Sequence, residues 1–242
     1  MILQRSIMNN SSGYIKEIFP SIQGEGKYVG AKQLFVRLAG CSVNCLNCDT
    51  DYSAEDFFII NDKRIQNPVS PVDLAGNITE AFGLNSFHSI SITGGEPLDQ
   101  FGFLKDFIKA VKEMSGIRIF LETSGFYSDK LLALQDIVDI FSIDLKIKSS
   151  FGVNNLQSVQ KIMRSIDTSK TYVKLIINKN ITEIEMNAAL KFLMDLKIKE
   201  IYLQPLNNIS YNNKLEHIID LLQDNGVNAY FIPQIHKFME IR

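Results

Sequence analysis

Three cysteines, Cys41, Cys45 and Cys48, are the only ones in the 242-residue chain, and they fall within eight residues. An odd, tightly clustered set makes a poor disulfide framework and points instead to metal or redox chemistry. Thiolates are the usual ligands of iron–sulfur clusters, and one loop carrying three of them can wrap one cluster. On a four-iron cluster, three thiolates leave one iron without a protein ligand, free to bind a small molecule. A pure electron carrier normally has all four. The alternatives are a zinc site completed by His88, His217 or His236, or three inert thiols. His88 stands just before a strand pattern and His217 within an amphipathic helix pattern, so both read as structural or surface residues.

The cysteine loop follows a β-rich run at residues 33–38 and a turn at Gly40. Further β-rich runs lie at 89–93, 118–122, 140–144, 172–177, 200–204 and 228–233, and an N-terminal strand is expected at 14–19. Helical spacing separates most of them. Phe103, Leu104, Phe107, Ile108 and Val111 mark one apolar face, with Asp99 as the expected N-cap and Gly116 as the stop. Thr182 and Glu185 form a capping box before 186–196, and Leu215, Ile218, Ile219 and Leu222 repeat at helical spacing up to Gly226. Strands alternating with helices imply parallel βαβ units. About six units fall short of the eight that close a full barrel, so the expected fold is α/β, an open or partial (β/α)6 TIM-like barrel in one domain, 1–242. Residues 51–71 are the least regular and read as an insertion.

Polar residues stand at the C-terminal end of nearly every strand. Thr93, Gly94, Gly95 and Glu96 end one; Glu122, Thr123 and Ser124 the next; then Asp144 and Lys146, then Gln204, with Gln234, His236 and Lys237 after the last. Active sites of parallel barrels form at this face, so a shared pocket is expected there.

The composition is that of an ordinary globular protein, 45% hydrophobic and 21% charged. A formal net charge of −2 gives no nucleic-acid-binding surface, and no apolar run approaches the roughly 18 residues of a membrane helix. The polar start lacks a signal peptide's apolar stretch, so a cytoplasmic location is expected.

The Cys-x3-Cys-x2-Cys spacing resembles the signature of the radical S-adenosylmethionine superfamily, and Gly94-Gly95-Glu96-Pro97 resembles its GGE-type motif. Other segments resemble the 7-carboxy-7-deazaguanine synthase family within it. These are Ser21-Ile22-Gln23-Gly24-Glu25-Gly26, Arg37, Cys48-Asp49-Thr50, Glu122-Thr123-Ser124-Gly125 and Pro233-Gln234-Ile235-His236-Lys237, in the family's order. Several motifs in one order are far harder to obtain by chance than one.

The resemblance implies a partial barrel of the radical S-adenosylmethionine type with an N-terminal strand and loop extension. It also implies a lyase that contracts 6-carboxy-5,6,7,8-tetrahydropterin to 7-carboxy-7-deazaguanine with loss of ammonia, on the route to queuosine-type nucleosides of tRNA. In the family a 5′-deoxyadenosyl radical removes a hydrogen from C6 of the substrate and S-adenosylmethionine is regenerated. By the same resemblance, Cys41, Cys45 and Cys48 hold a 4Fe–4S cluster and Thr50 a Mg²⁺ ion. Asn47, Cys48, Asp49, Gly95, Glu96, Thr123, Asp144, Leu145 and Lys146 meet S-adenosylmethionine. Ile22, Gln23, Gly24, Glu25, Arg37, Thr93, Gln234, His236 and the terminal carboxylate of Arg242 meet the pterin. Relatives carry Ser-Pro-Lys where this chain has Asp144-Leu145-Lys146. A homodimer and an electron donor such as flavodoxin or ferredoxin are expected partners. The competing readings are an activating enzyme that makes a glycyl radical on a partner protein, and a non-catalytic zinc or iron–sulfur module.

Overall fold

A computed structural model of the chain describes residues 12–48, 50–178, 181–196, 198–205 and 213–239. Eight strands form one sheet. In chain order they are β1 (Ile15–Ile22), β2 (Lys32–Leu38), β5 (Ser89–Gly94), β6 (Ile119–Thr123), β7 (Ile140–Leu145), β8 (Thr171–Ile177), β9 (Glu200–Pro205) and β10 (Asn228–Phe231). They lie side by side in that order, β1 antiparallel to β2 and every later neighbour parallel. The sheet is open, as expected of a partial barrel, and β1 is the N-terminal extension.

Helices connect the parallel strands: α1 (Pro71–Ala81), α2 (Phe101–Ser115), α3 (Ser128–Leu132), α4 (Lys148–Phe151), α5 (Leu156–Met163), α6 (Glu183–Asp195) and α7 (Asn213–Asp224), with α8 (Ile235–Phe238) after β10. Sequence signals set their ends. Ser70 caps α1 by accepting from the Asp73 N–H, and Pro71 takes the first helical position. Gly116 stops α2 in the left-handed conformation, φ 68°, and the Thr182–Glu185 capping box starts α6.

Two expectations need correction. Asp99 is not the N-cap of α2. It sits in a 3-10 turn, Pro97–Gln100, and its carboxylate accepts from the Ser42 N–H and hydroxyl, both at 2.7 Å, and from the Tyr127 hydroxyl. Its partners on the cysteine loop and after β6 are invisible to a helix-capping rule. The irregular segment 51–71 contains a hairpin of β3 (Phe57–Ile60) and β4 (Lys63–Gln66). Asn61 and Asp62 make its two-residue turn, both at positive φ, a conformation that Asn and Asp tolerate.

Period-two alternation divides the sheet into two faces. Leu34, Val36, Ile90, Ile92, Leu121, Ile143, Val173, Leu175 and Leu203 face outward into the main core. They meet Leu74 and Ile78 of α1, Phe107 and Val111 of α2, Ile162 of α5, Leu190 and Leu193 of α6 and Leu222 of α7 in the same cluster. The intervening residues face inward. At one end of the inner face, Phe120, Ile140, Tyr172 and Tyr202 cluster with Tyr28 and Ile232. The other end, where the parallel strands finish, is a cavity.

Candidate active site

The cavity holds about 620 Å³ and is lined by the loop after β1, the cysteine loop and the ends of β5 to β9, with residues 234, 236 and 237 on its rim. Of the residues expected at the site, Ile22, Gln23, Gly24, Glu25, Arg37, Cys41, Cys45, Asn47, Cys48, Thr50, Thr93, Gly95, Thr123, Asp144, Lys146, Gln234 and His236 line it. Glu96 and Leu145 do not reach its wall. Asp49 and Arg242 lie outside the described residues.

The cysteine loop is fixed from three sides. Ser42 is bound to Asp99 and Tyr127 as above. On the opposite flank the Leu46 N–H donates to the Phe151 carbonyl at 2.8 Å, and Asn47 Nδ2 donates to the Ser150 carbonyl at 2.7 Å. The third contact explains the paired glycines. A Cβ on Gly94 would lie 2.3 Å from the Leu38 carbonyl oxygen, and one on Gly95 2.2 Å from the Gly40 oxygen and 2.5 Å from Cys41 Cβ. The end of β5 therefore abuts the base of the cysteine loop, and the Gly95 and Glu96 N–H groups donate to Leu38 and Gly40.

Glu96 works from beneath. Its buried carboxylate accepts from the Thr123 hydroxyl at 2.8 Å, the Leu98 N–H at 3.0 Å, the Ser124 N–H at 2.9 Å and the Ser124 hydroxyl. Burial pushes its pKa up, while those donors pull it the other way. The side chain thus joins the loops after β5 and β6.

Asn155, which the motifs did not single out, does the same for the next pair of loops. Its Nδ2 donates to the Ser124 carbonyl and, at 2.6 Å, to the Asp144 carbonyl, and its Oδ1 accepts from the Lys146 N–H at 2.8 Å. This fixes the backbone of the Asp144–Lys146 segment. Asp144 and Lys146 are also ion-paired, Oδ2 to Nζ at 3.0 Å.

On the far wall, Arg37 donates from Nε to Glu17 at 2.7 Å and lies over the Phe19 ring, which stacks on Phe35. That pairing leaves the terminal guanidinium nitrogens for a ligand. The Gln23 side chain is engaged internally: Nε2 donates to Gln33 at 3.1 Å and Oε1 accepts from the Glu25 N–H at 3.0 Å. Gly24 packs against His236, whose Nδ1 would lie 2.4 Å from a Cβ there. His88 sits at the start of β5, bonded to Ser89 and beside Tyr28, and His217 is exposed on α7, so neither lines the cavity.

The donor set fits an iron–sulfur cluster. The three cysteines are free thiols along one wall of the cavity. Burial pushes the Cys41 and Cys45 thiols up, and for Cys45 the nearby Lys146 charge opposes it while the other two cysteines add to it. Mutually repelling thiolates along one wall suit a polycation, which would hold them deprotonated; among the described residues no three donors are gathered around a single-ion site. Gln204 Oε1, buried on the cavity wall with no hydrogen-bond partner, is an acceptor suited to a bound polar molecule.

Comparison with known proteins bears on this geometry. The radical SAM superfamily model matches residues 36–186, from β2 into α6. A 7-carboxy-7-deazaguanine synthase of Methanopyrus kandleri is 31% identical over 238 residues, covering 93% of each chain. The chain belongs to this synthase family of the radical SAM superfamily. Another member, from Archaeoglobus fulgidus, is 30% identical, covering 93% of this chain and 97% of its own. The synthase fold is also that of QueE from Escherichia coli, whose crystal structure covers 93% of this chain and 95% of its own with a TM-score of 0.58 at 20% identity.

Proposed function

We propose that the chain acts as a 7-carboxy-7-deazaguanine synthase, contracting 6-carboxy-5,6,7,8-tetrahydropterin to 7-carboxy-7-deazaguanine with loss of ammonia. One observation carries the reading: a single cavity brings the three thiols together with Gln23, Glu25, Arg37, Thr93, Gln234 and His236. When bound, a 4Fe–4S cluster and S-adenosylmethionine supply a radical able to abstract hydrogen from an unactivated carbon.

The chain's own residues bind, orient and enclose. Cys41, Cys45 and Cys48 hold the cluster. Asn47, Gly95, Thr123, Asp144 and Lys146 border the cofactor, with Glu96 and Leu145 supporting that wall from behind. Arg37 meets the substrate carboxylate with its terminal nitrogens, Glu17 having fixed the plane of the guanidinium. Gln23 presents the Gly24–Glu25 backbone, and Thr93 and His236 close over the ring. Thr50, on the cavity wall, would offer a hard oxygen to Mg²⁺. The whole chain acts as one core domain. A homodimer, a flavodoxin or ferredoxin as reductant and a cytoplasmic location complete the proposal. No helix among the described residues is long and apolar enough to cross a membrane.

The test is an anaerobic assay with reconstituted iron and sulfide, dithionite, S-adenosylmethionine, Mg²⁺ and the carboxytetrahydropterin, read by mass spectrometry. The expected result is 7-carboxy-7-deazaguanine. Cleavage of S-adenosylmethionine with the pterin untouched would move the assignment to an activating enzyme. In the same assay Thr50→Ala should raise the Mg²⁺ concentration for half-maximal rate by about tenfold, the loss of one charge-assisted contact of about 1.5 kcal/mol. An unchanged metal response would remove Thr50 as a ligand.

A further inference from the structure

Lys174 stands mid-strand in β8 and, among the described residues, is the one charged residue of the largest fully buried side chains. Its ammonium meets Glu25 Oε2 at 2.7 Å, Asp144 Oδ1 at 3.1 Å and Glu122 Oε1. These three carboxylates come from the loop after β1, from β7 and from β6. An ammonium has three N–H donors; two are hydrogen-bonded, to Glu25 and Glu122, and Asp144 Oδ1 faces the same ammonium as an ion pair without a hydrogen bond. Ringed by three carboxylates at the cavity wall, Lys174 acts on a ligand chiefly through the groups it holds.

Of those groups, Glu25 is the most fully braced. Its Oε1 accepts from Gln234 Nε2 at 2.7 Å while its Oε2 accepts from Lys174, so contacts from β8 and from the C-terminal segment fix both oxygens. Burial alone would push the Glu25 carboxyl up, but the Lys174 charge and the bonds from Gln234, Lys174 and Gln204 hold it down at about 2. A carboxylate has about four acceptor sites, so these three partners leave capacity on a group that lines the cavity. A rigid acceptor of that kind selects a ligand N–H and rejects a carbonyl oxygen at the same place.

We propose that Lys174 is a positioning residue that orients Glu25 to accept from the 2-amino group of the pterin, and so sets the preference for a 2-amino over a 2-oxo ring. The inference rests on the synthase reading and adds a specificity determinant to it. Lys174 also ties that acceptor to Asp144, which pairs with Lys146 on the cofactor side.

The experiment measures binding of two fluorescent probes, pterin-6-carboxylate and lumazine-6-carboxylate, which differ at the 2-position. The protein is the reconstituted enzyme with S-adenosylmethionine. The wild type should prefer the pterin by about tenfold or more, since the lumazine oxygen would face the carboxylate. Lys174→Met should bring the two affinities within about threefold, and Glu25→Gln should do the same. Adding Lys174→Met to Glu25→Gln should change the preference by less than about twofold, as for residues acting as a unit. Because Lys174→Met uncovers buried carboxylates, Gln234→Leu serves as a second variant. It removes one brace without baring a charge and should lower the preference in the same direction, with thermal unfolding monitored for both.

An undiminished preference in Gln234→Leu and in folded Lys174→Met would overturn the positioning role and make Lys174 structural. If the wild type cleaves S-adenosylmethionine but binds neither probe, the pterin reading itself fails. Additive losses in the double variant would show that Lys174 acts on the ligand by a route other than Glu25, again overturning the proposal.

Discussion

Replacing Cys45 with alanine should leave a folded protein that retains no cluster and gives no turnover. The side chain is only half-buried, and the backbone on either side is held by contacts that do not use it: Ser42 to Asp99, Leu46 to Phe151 and Asn47 to Ser150. Loss of one half-buried thiol should therefore change the stability of the cluster-free protein by no more than about 1 kcal/mol. The cluster has no comparable reserve. Two thiolates cannot hold four irons against solvent, so iron should fall from about four per chain to near zero and product formation below detection. Iron titration and a melting curve on the same sample separate the two effects. A cluster-loaded, active Cys45→Ala protein would sink the radical reading.

Gly95→Ala should be nearly as damaging by a different route. The added carbon meets backbone, the Gly40 carbonyl oxygen at 2.2 Å, as well as Cys41 Cβ at 2.5 Å. No rotamer change relieves a clash with backbone, so the base of the cysteine loop must move away from the end of β5. The cluster-free protein should lose about 1–3 kcal/mol, as over-packed interiors do. The displaced Cys41 should also cut cluster occupancy several-fold at equal iron. Gly76→Ala is the control, since a Cβ there meets nothing and the residue lies within α1. It should leave occupancy unchanged. Full occupancy in Gly95→Ala would mean that the two loops are not in mechanical contact.

These cases also mark what the sequence disclosed. The parallel strands were legible because β-branched and apolar residues stand in short runs between amphipathic helices. The capping box at Thr182 and the stop at Gly116 could be read because both are local devices. The GGEP motif was found by its letters, but its glycines also serve a contact with a loop more than fifty residues earlier. Asp99 shows the limit: a carboxylate before a helix reads as a cap, and only the fold reveals that Ser42 and Tyr127 engage it.

Lys174 and Asn155 were missed for related reasons. Both bind partners outside their own element, Glu25 lying 149 residues from Lys174 and Ser124 31 residues from Asn155. A signal existed for Lys174. A lysine inside an otherwise apolar run destined for a parallel strand is buried on both faces and must find counter-charges. The β3–β4 hairpin was hidden by its brevity, although Asn61-Asp62 is a hairpin-turn pair.

The division of the sheet into an outward face packed under helices and an inward face whose strand ends line the cavity has an evolutionary consequence. Positions such as Val36 and Val173 are constrained by neighbours that must be filled, while Arg37 and Lys174, each the next residue along, answer to whatever occupies the cavity. Selection for a new substrate can rewrite the inward residues at the strand ends without disturbing the inner aromatic cluster or the helices packed behind the sheet. The scaffold can therefore outlast its chemistry, and lineages sharing the outer pattern can diverge at the inner one while their cysteine loops stay in place.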